Sequence, residues 1–142
     1  MKTESLEVSY RATTYRVFLP GGEVELRIGE ANVALARWLA GEGASTWAIL
    51  TAHNPASKPL TVTENAELQS QLECALLEQD CMTFSGENAA DDEVWPNEES
   101  CFVPDINIKN SMALARRFGQ NAYVFGEGDG LPRLVWVEEN IQ

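Results

Sequence analysis

The sequence is poor in the residues that most directly announce a chemistry. Its 142 residues include one histidine, three cysteines and ten lysines plus arginines. One imidazole excludes a multi-histidine metal site. The cysteines, Cys74, Cys81 and Cys101, form no C-x-x-C pair and are odd in number. A secreted disulfide framework is even and denser, so the thiols read as reduced and packed, and the chain as cytoplasmic. The bases are outnumbered by 22 acids, for a net charge of −12. Phosphate contacts need clustered Lys and Arg, so this balance argues against nucleic acid as a partner and against an anionic membrane surface. No run approaches the roughly 20 apolar residues of a membrane span. The opening Met-Lys-Thr-Glu-Ser-Leu-Glu has no apolar segment of the kind a signal peptide needs. A G-x-S-x-G elbow, a phosphate-binding P-loop, a G-x-G-x-x-G turn and an EF-hand frame are all missing. Neither a metal nor a cofactor is expected.

What is present is an ordinary globular composition, 44% hydrophobic and 23% charged, long enough for one domain over residues 1–142 with a real core. The charge is unevenly spread. Residues 1–62 carry six acids and six bases, so residues 63–142 hold the whole −12. Within that half, the stretch 87–99 has six acids and no base.

The pattern of apolar residues predicts the elements. Residues 1–13 are polar and expected to fray. Residues 15–19 and 24–28 flank Pro20-Gly21-Gly22-Glu23 and read as a β-hairpin. Ala31 to Glu42 places Leu35, Trp38 and Leu39 on one helical stripe, closed by glycines. The nearly unbroken apolar run 46–52 predicts a strand buried on both faces, stopped by His53-Asn54-Pro55. Thr61 and Glu64 form a capping box that opens a helix through about Gln79. Strands are expected at 81–85, 100–104, 122–125 and 133–137, a helix at 110–118 and a loop over 86–99. From 46 to 126 the order is strand, helix, strand, strand, helix, strand. That order predicts an α+β two-layer sandwich with a ferredoxin-like β-α-β-β-α-β core. The N-terminal hairpin and helix and a C-terminal strand extend it.

This topology gathers polar segments at one edge. If the C-terminal end of strand 46–52 is the top, then His53-Asn54-Pro55, the start of the helix at Thr61, loop 86–99 and Phe118-Gly119-Gln120-Asn121 all lie there. Loops held on a rigid scaffold are where sites are built. Asn54 offers a donor and an acceptor beside a helix N-terminus, and Asn65 lies one turn into that helix; Asn54-Pro55 also serves simply as a strand-ending turn. Arg117 could clamp an anion bidentately, or merely complement a helix C-terminus. Gln120 and Asn121 adjoin it, and Trp95 offers a flat surface within the acidic loop. Glu98 and Glu99 could act as a general acid/base pair with Ser100 close by, and His53 could exchange protons.

Three segments carry a resemblance. They are Thr51-Ala52-His53-Asn54-Pro55 with Ser57, Leu60 and Glu64-Asn65; Trp95-Pro96 with Glu98-Glu99-Ser100-Cys101-Phe102; and Ala115-Arg116-Arg117-Phe118-Gly119-Gln120-Asn121-Ala122. Together they resemble a small bacterial family known only as a domain of unknown function, whose pattern includes T-A-x-N-P and A-R-R-F-G-Q-N-A. The resemblance spans roughly residues 15–137 and implies no activity.

The resulting expectation is a binding module. It would hold a small polar or anionic ligand, or a peptide end, through Asn54, Asn65, Trp95, Glu99, Arg117, Gln120 and Asn121. The alternatives are an acidic protein-interaction module, in which loop 87–99 meets a basic partner, and, ranked last, a small hydrolase-type enzyme using His53 or Glu99.

Overall fold

A computed structural model describes residues 2–92 and 96–137 of the chain. In chain order these form α1 (Lys2–Arg11), β1 (Thr13–Leu19), β2 (Gly22–Leu26), α2 (Val33–Glu42), β3 (Thr46–Leu50), α3 (Val62–Glu78), β4 (Phe84–Ala90), β5 (Glu98–Pro104), α4 (Ile108–Arg117), β6 (Ala122–Glu127) and β7 (Arg133–Trp136). The strands make one antiparallel sheet ordered β2-β1-β4-β5-β3-β6-β7. The class is α+β. None of the described helices is long and apolar enough to cross a membrane.

Local sequence explains the element boundaries. The Asn32 side chain accepts the Leu35 N–H at 2.9 Å and opens α2, and Gly43 closes it at φ 70°. Thr61 and Glu64 form the reciprocal capping box of α3, with bonds of 3.0 and 3.1 Å. Asn107 caps α4 as Asn32 caps α2, its side chain accepting the Asn110 N–H at 2.7 Å.

The sheet is buried on both sides because its central strands are apolar on both faces. In β3, Ala48 and Leu50 join a core built with Leu72 and Leu76 of α3 and Leu114 and Ala115 of α4. Trp47 and Ile49 point the other way, into a core with Leu35 and Leu39 of α2 and Tyr15, Val17 and Leu26 of the hairpin. Cys101 and Phe102 of β5, and Tyr123 and Val124 of β6, divide between the two cores by the same alternation. Trp47 is fully buried, and its indole N–H donates to the Glu127 carbonyl at 2.9 Å. Gly126 makes room for it, since a Cβ there would lie 2.4 Å from the ring.

Three expectations are corrected. Residues 2–11 are a helix, not a frayed end. Arg11 pairs with Glu7 one turn earlier at 2.9 Å, and Tyr10 packs against the second core. Half of the expected loop 86–99 is strand, because β4 runs to Ala90 and β5 begins at Glu98. Its polar residues pair across the ladder, Glu87 opposite Glu99 and Asn88 opposite Glu98. Polar strands form readily when the neighbouring strand supplies the ladder, here β1 beside β4. Finally, the expected two layers are three, because helices pack against both faces of the sheet.

The pairing of β1 with β4 also resolves the charge asymmetry. Arg27 grips Asp91 through two bonds of 2.9 and 2.8 Å, and Arg16 reaches Glu87 at 3.4 Å. Arginines of the neutral half thus meet acids of the acidic half.

Candidate functional site

The top of the sheet is a hydrogen-bonded knot of amides. Asn54 stands at its centre. Its backbone N–H donates to Asn65 Oδ1, and its own Oδ1 accepts from Asn65 Nδ2 and from the Leu60 N–H, all at 2.9 Å. Its Nδ2 donates to Glu98 Oε2 at 2.8 Å. One turn along α3, Gln69 is 2% exposed and accepts the Ala52 N–H at 3.0 Å. Gln120 donates from Nε2 to the carbonyls of His53 and Phe118 at 3.1 and 3.2 Å. The Ala56 N–H reaches the Gly119 carbonyl at 2.7 Å, and Asn121 donates to Ser57 Oγ at 2.9 Å.

This knot holds an uncomfortable backbone. Asn54, Ala56 and Ser57 have φ of 47°, 57° and 59°. Each left-handed non-glycine residue costs about 1–2 kcal/mol, least for Asn. Gly119, at φ 69°, lets the opposite loop approach, since a Cβ there would sit 2.9 Å from Pro55 Cβ.

Beside the knot lies a cavity of about 480 Å³, on the face of the sheet that carries the second core. Its floor is Ile49, Ala122 and Val124, one wall is Leu6, Val8, Ser9 and Tyr10 of α1, and Tyr15 and Asn88 close the far side. Thr51, His53, Asn54, Ser57, Glu98 and Gln120 form the polar rim. The cavity exists because α2 covers the lower part of this face and only the N-terminal helix reaches the upper part.

Asp91, Asp92 and Glu98 line the cavity, whereas among the described residues no lysine or arginine does. Burial drives the Tyr10 phenol up to about 12, with the Glu98 charge adding to the rise. Tyr15 is pushed up further, again chiefly by burial, and its hydroxyl donates to the Tyr10 carbonyl at 3.2 Å. No group of three or more metal-ligating side chains occurs among the described residues.

The residues nominated from the sequence divide accordingly. Asn54 and Gln120 line the cavity. Asn65 is 8% exposed and stands behind Asn54 as its partner. Asn121 is engaged by Ser57 beside the cavity rather than in it. Glu99 points to the opposite face. It lies beside Cys101, whose thiol burial raises to about 12 with help from the Glu73 and Glu99 charges. A strand alternates sides, so a step of one residue separates Glu99 from Glu98, and Glu98 rather than Glu99 lines the cavity. Arg117 is exposed, its guanidinium 5.2 Å over its own neighbour's ring, Phe118, and is no clamp at this cavity. Trp95 lies outside the described residues. His53 Nδ1 is 3.5 Å from Thr51 Oγ1, which donates to the Glu99 carbonyl at 2.7 Å.

Sequence reasoning missed Tyr10, Tyr15, Gln69 and Asn88, and weighed Glu98 only as a partner of Glu99. For Gln69 a signal existed: Asn65, Gln69, Leu72 and Leu76 share one helical stripe, which puts two amides on a buried face. For Tyr10 there was none, since α1 shows little amphipathic pattern.

A family model described as "Protein of unknown function (DUF3293)" matches residues 50–123, just over half of the chain. The chain belongs to this family. The match runs from the end of β3 through Tyr123 and so contains the whole amide knot. No curated protein and no solved structure matches the chain.

Proposed function

We propose that this member of the family is a binding module that holds a small polar ligand with an apolar body at the top edge of its sheet. The single observation that carries the reading is the cavity of about 480 Å³, apolar at its floor and amide-lined at its rim. Small-molecule sites have this build: a mostly apolar hollow with a few fixed polar groups that set orientation. The strained segment Asn54 to Ser57, held by Asn65, Glu98 and Gln120, supports it, because such strain collects where geometry matters. The anionic ligand that the sequence suggested drew on Arg117 and on the helix N-terminus beside Asn54; Arg117 does not line the cavity, which favours a neutral polar ligand. The order β4-β5-β3-β6, linked through α3 and α4, supports reading the central portion as a ferredoxin-like core with the hairpin as an added edge. Against the protein-interaction reading, Arg16 and Arg27 already engage Glu87 and Asp91, two of the six acids of the 87–99 stretch.

Thermal shift against a library of small polar metabolites tests the proposal, with Ala90→Leu as the control that fills the cavity from β4. Ligands that raise the midpoint of the parent protein and not of the variant are expected. A stabilising ligand indifferent to Ala90→Leu would place binding elsewhere and refute the reading.

A further inference from the structure

We propose that Asn88 is the side chain that reads the ligand, and that the ligand carries a neutral carboxamide edge at one end of an apolar body. This rests on the reading of the cavity as a ligand site and adds the group that is recognised and the residue that recognises it. Three features converge on it.

The first is an unmade hydrogen bond. Asn88 is half-buried and lines the cavity from β4. Its side-chain Oδ1 is buried and has no hydrogen-bond partner among the described residues. A buried acceptor left unpaired lowers stability, and native side chains rarely leave one so. This one therefore calls for a partner from outside the chain. The other buried side-chain atom in that condition, Ser100 Oγ, belongs to a residue that does not line this cavity.

The second is the row in which Asn88 stands. The ladder places it between Tyr15 of β1 and Glu98 of β5, and all three line the cavity. Its neighbours are already engaged. The Tyr15 hydroxyl donates to the Tyr10 carbonyl at 3.2 Å, and Glu98 Oε2 accepts from Asn54 Nδ2 at 2.8 Å. Asparagine is also a poor strand former, and this position is inside β4, with a strand on either side. Strand preference and the cost of an unpaired acceptor both favour a β-branched apolar residue here. A position that defies local preference in this way marks a functional role.

The third is the chemistry of the group. A carboxamide sets an acceptor oxygen and a donor NH₂ side by side in one plane. Its complement is a second amide edge, an N–H beside a C=O, which forms two parallel hydrogen bonds. The Cβ–Cγ torsion of asparagine is broad, so a turn about that bond brings Oδ1 out to the ligand beside Nδ2. The apolar floor, Ile49, Ala122 and Val124, belongs to β3 and β6, which lie two and three strands from β4 in the sheet. At a strand spacing of about 4.8 Å, the amide and the apolar body are separated by at least roughly 10 Å, so the ligand is elongated.

The test titrates 5-phenylpentanamide and methyl 5-phenylpentanoate into the full chain, with benzamide as the short amide. The ester keeps the shape and the carbonyl and lacks the N–H. Calorimetry or ligand-observed NMR gives each Kd. The long amide is expected to bind at least about tenfold more tightly than the ester, and than benzamide. N88L keeps the volume and removes both hydrogen-bonding groups, and N88V does so with a residue that strands prefer. Either should bring long amide and ester within about threefold of each other. Either should also leave the melting midpoint of the ligand-free protein unchanged or higher, since an unpaired acceptor is lost. Equal binding of long amide and ester by the parent, or a tenfold preference that survives in both variants, overturns the assignment to Asn88 and leaves the ligand site standing. So does a midpoint lowered in both variants, which would make Asn88 a structural residue. Silence from all three probes, together with silence from a broad fragment library, overturns both.

Discussion

Replacing Asn54 by alanine should be among the most damaging single changes at the top of the sheet. Three side-chain bonds vanish: Oδ1 to the Leu60 N–H, Oδ1 to Asn65 Nδ2, and Nδ2 to Glu98. The two neutral bonds are each worth about 1 kcal/mol and the bond to the carboxylate about 1.5–3 kcal/mol. These groups are partly buried, so water recovers some of the loss, and the sum is taken as ~3 kcal/mol. Alanine at φ 47° adds roughly 1 kcal/mol, because it tolerates the left-handed region less well than asparagine. Urea denaturation should therefore show Asn54→Ala less stable by about 3–4 kcal/mol, equivalent to roughly 10 °C in melting midpoint for a chain of this size. Asn54→Gly separates the two causes. It loses the same bonds without the backbone penalty, so it should recover about 1 kcal/mol over alanine. Asn54→Asp keeps the acceptor but sets a second carboxylate against Glu98. Its folded-state carboxyl is raised above the unfolded value, so the variant is favoured when protonated and loses stability as pH rises through the carboxylate range. A loss below 0.5 kcal/mol for Asn54→Ala would refute the claim that this residue ties the loops together.

Other consequences are independent of the knot. Gly126→Ala places a Cβ 2.4 Å from the buried Trp47 ring, and should cost more than 2 kcal/mol, read as a lowered melting midpoint and a shifted tryptophan emission. Tyr10 is raised from 10.0 to about 12 and Tyr15 further, so the stability of their neutral forms is fully present below pH ~10 and drains away as pH rises through the folded values. Urea midpoints should hold to about pH 10 and then fall, and Tyr10→Phe should flatten that decline. Cys74 is exposed, whereas Cys101 is buried with its thiol raised to about 12. Iodoacetamide followed by mass spectrometry should label Cys74 early and Cys101 only on unfolding.

The elements with a strong internal period were legible from the sequence. The apolar run 46–50 is a central strand buried on both faces, and the Thr61–Glu64 box opens α3. The elements that depend on a neighbour were not. Residues 86–90 carry no apolar pattern of their own and become strand because β1 and β5 lie on either side. Helix α1 has few apolar residues and is held by Tyr10, which sits edge-on to Trp136 with ring centroids 6.0 Å apart. The convergence of Asn54, Asn65 and Gln120 followed from topology. The side chains' directions did not, because a strand reverses facing at every residue and a helix terminus can turn its last arginine outward. Glu98 rather than Glu99 lines the cavity, and Arg117 lies over Phe118, for that reason.

The most direct measurement of the central claim is a crystallographic fragment soak of the whole chain, with amines, alcohols and carboxylates in equal number. Bound fragments should gather in the cavity between α1 and the amide rim, over Ile49, Ala122 and Val124. An empty cavity beside fragments bound reproducibly elsewhere would contradict the account.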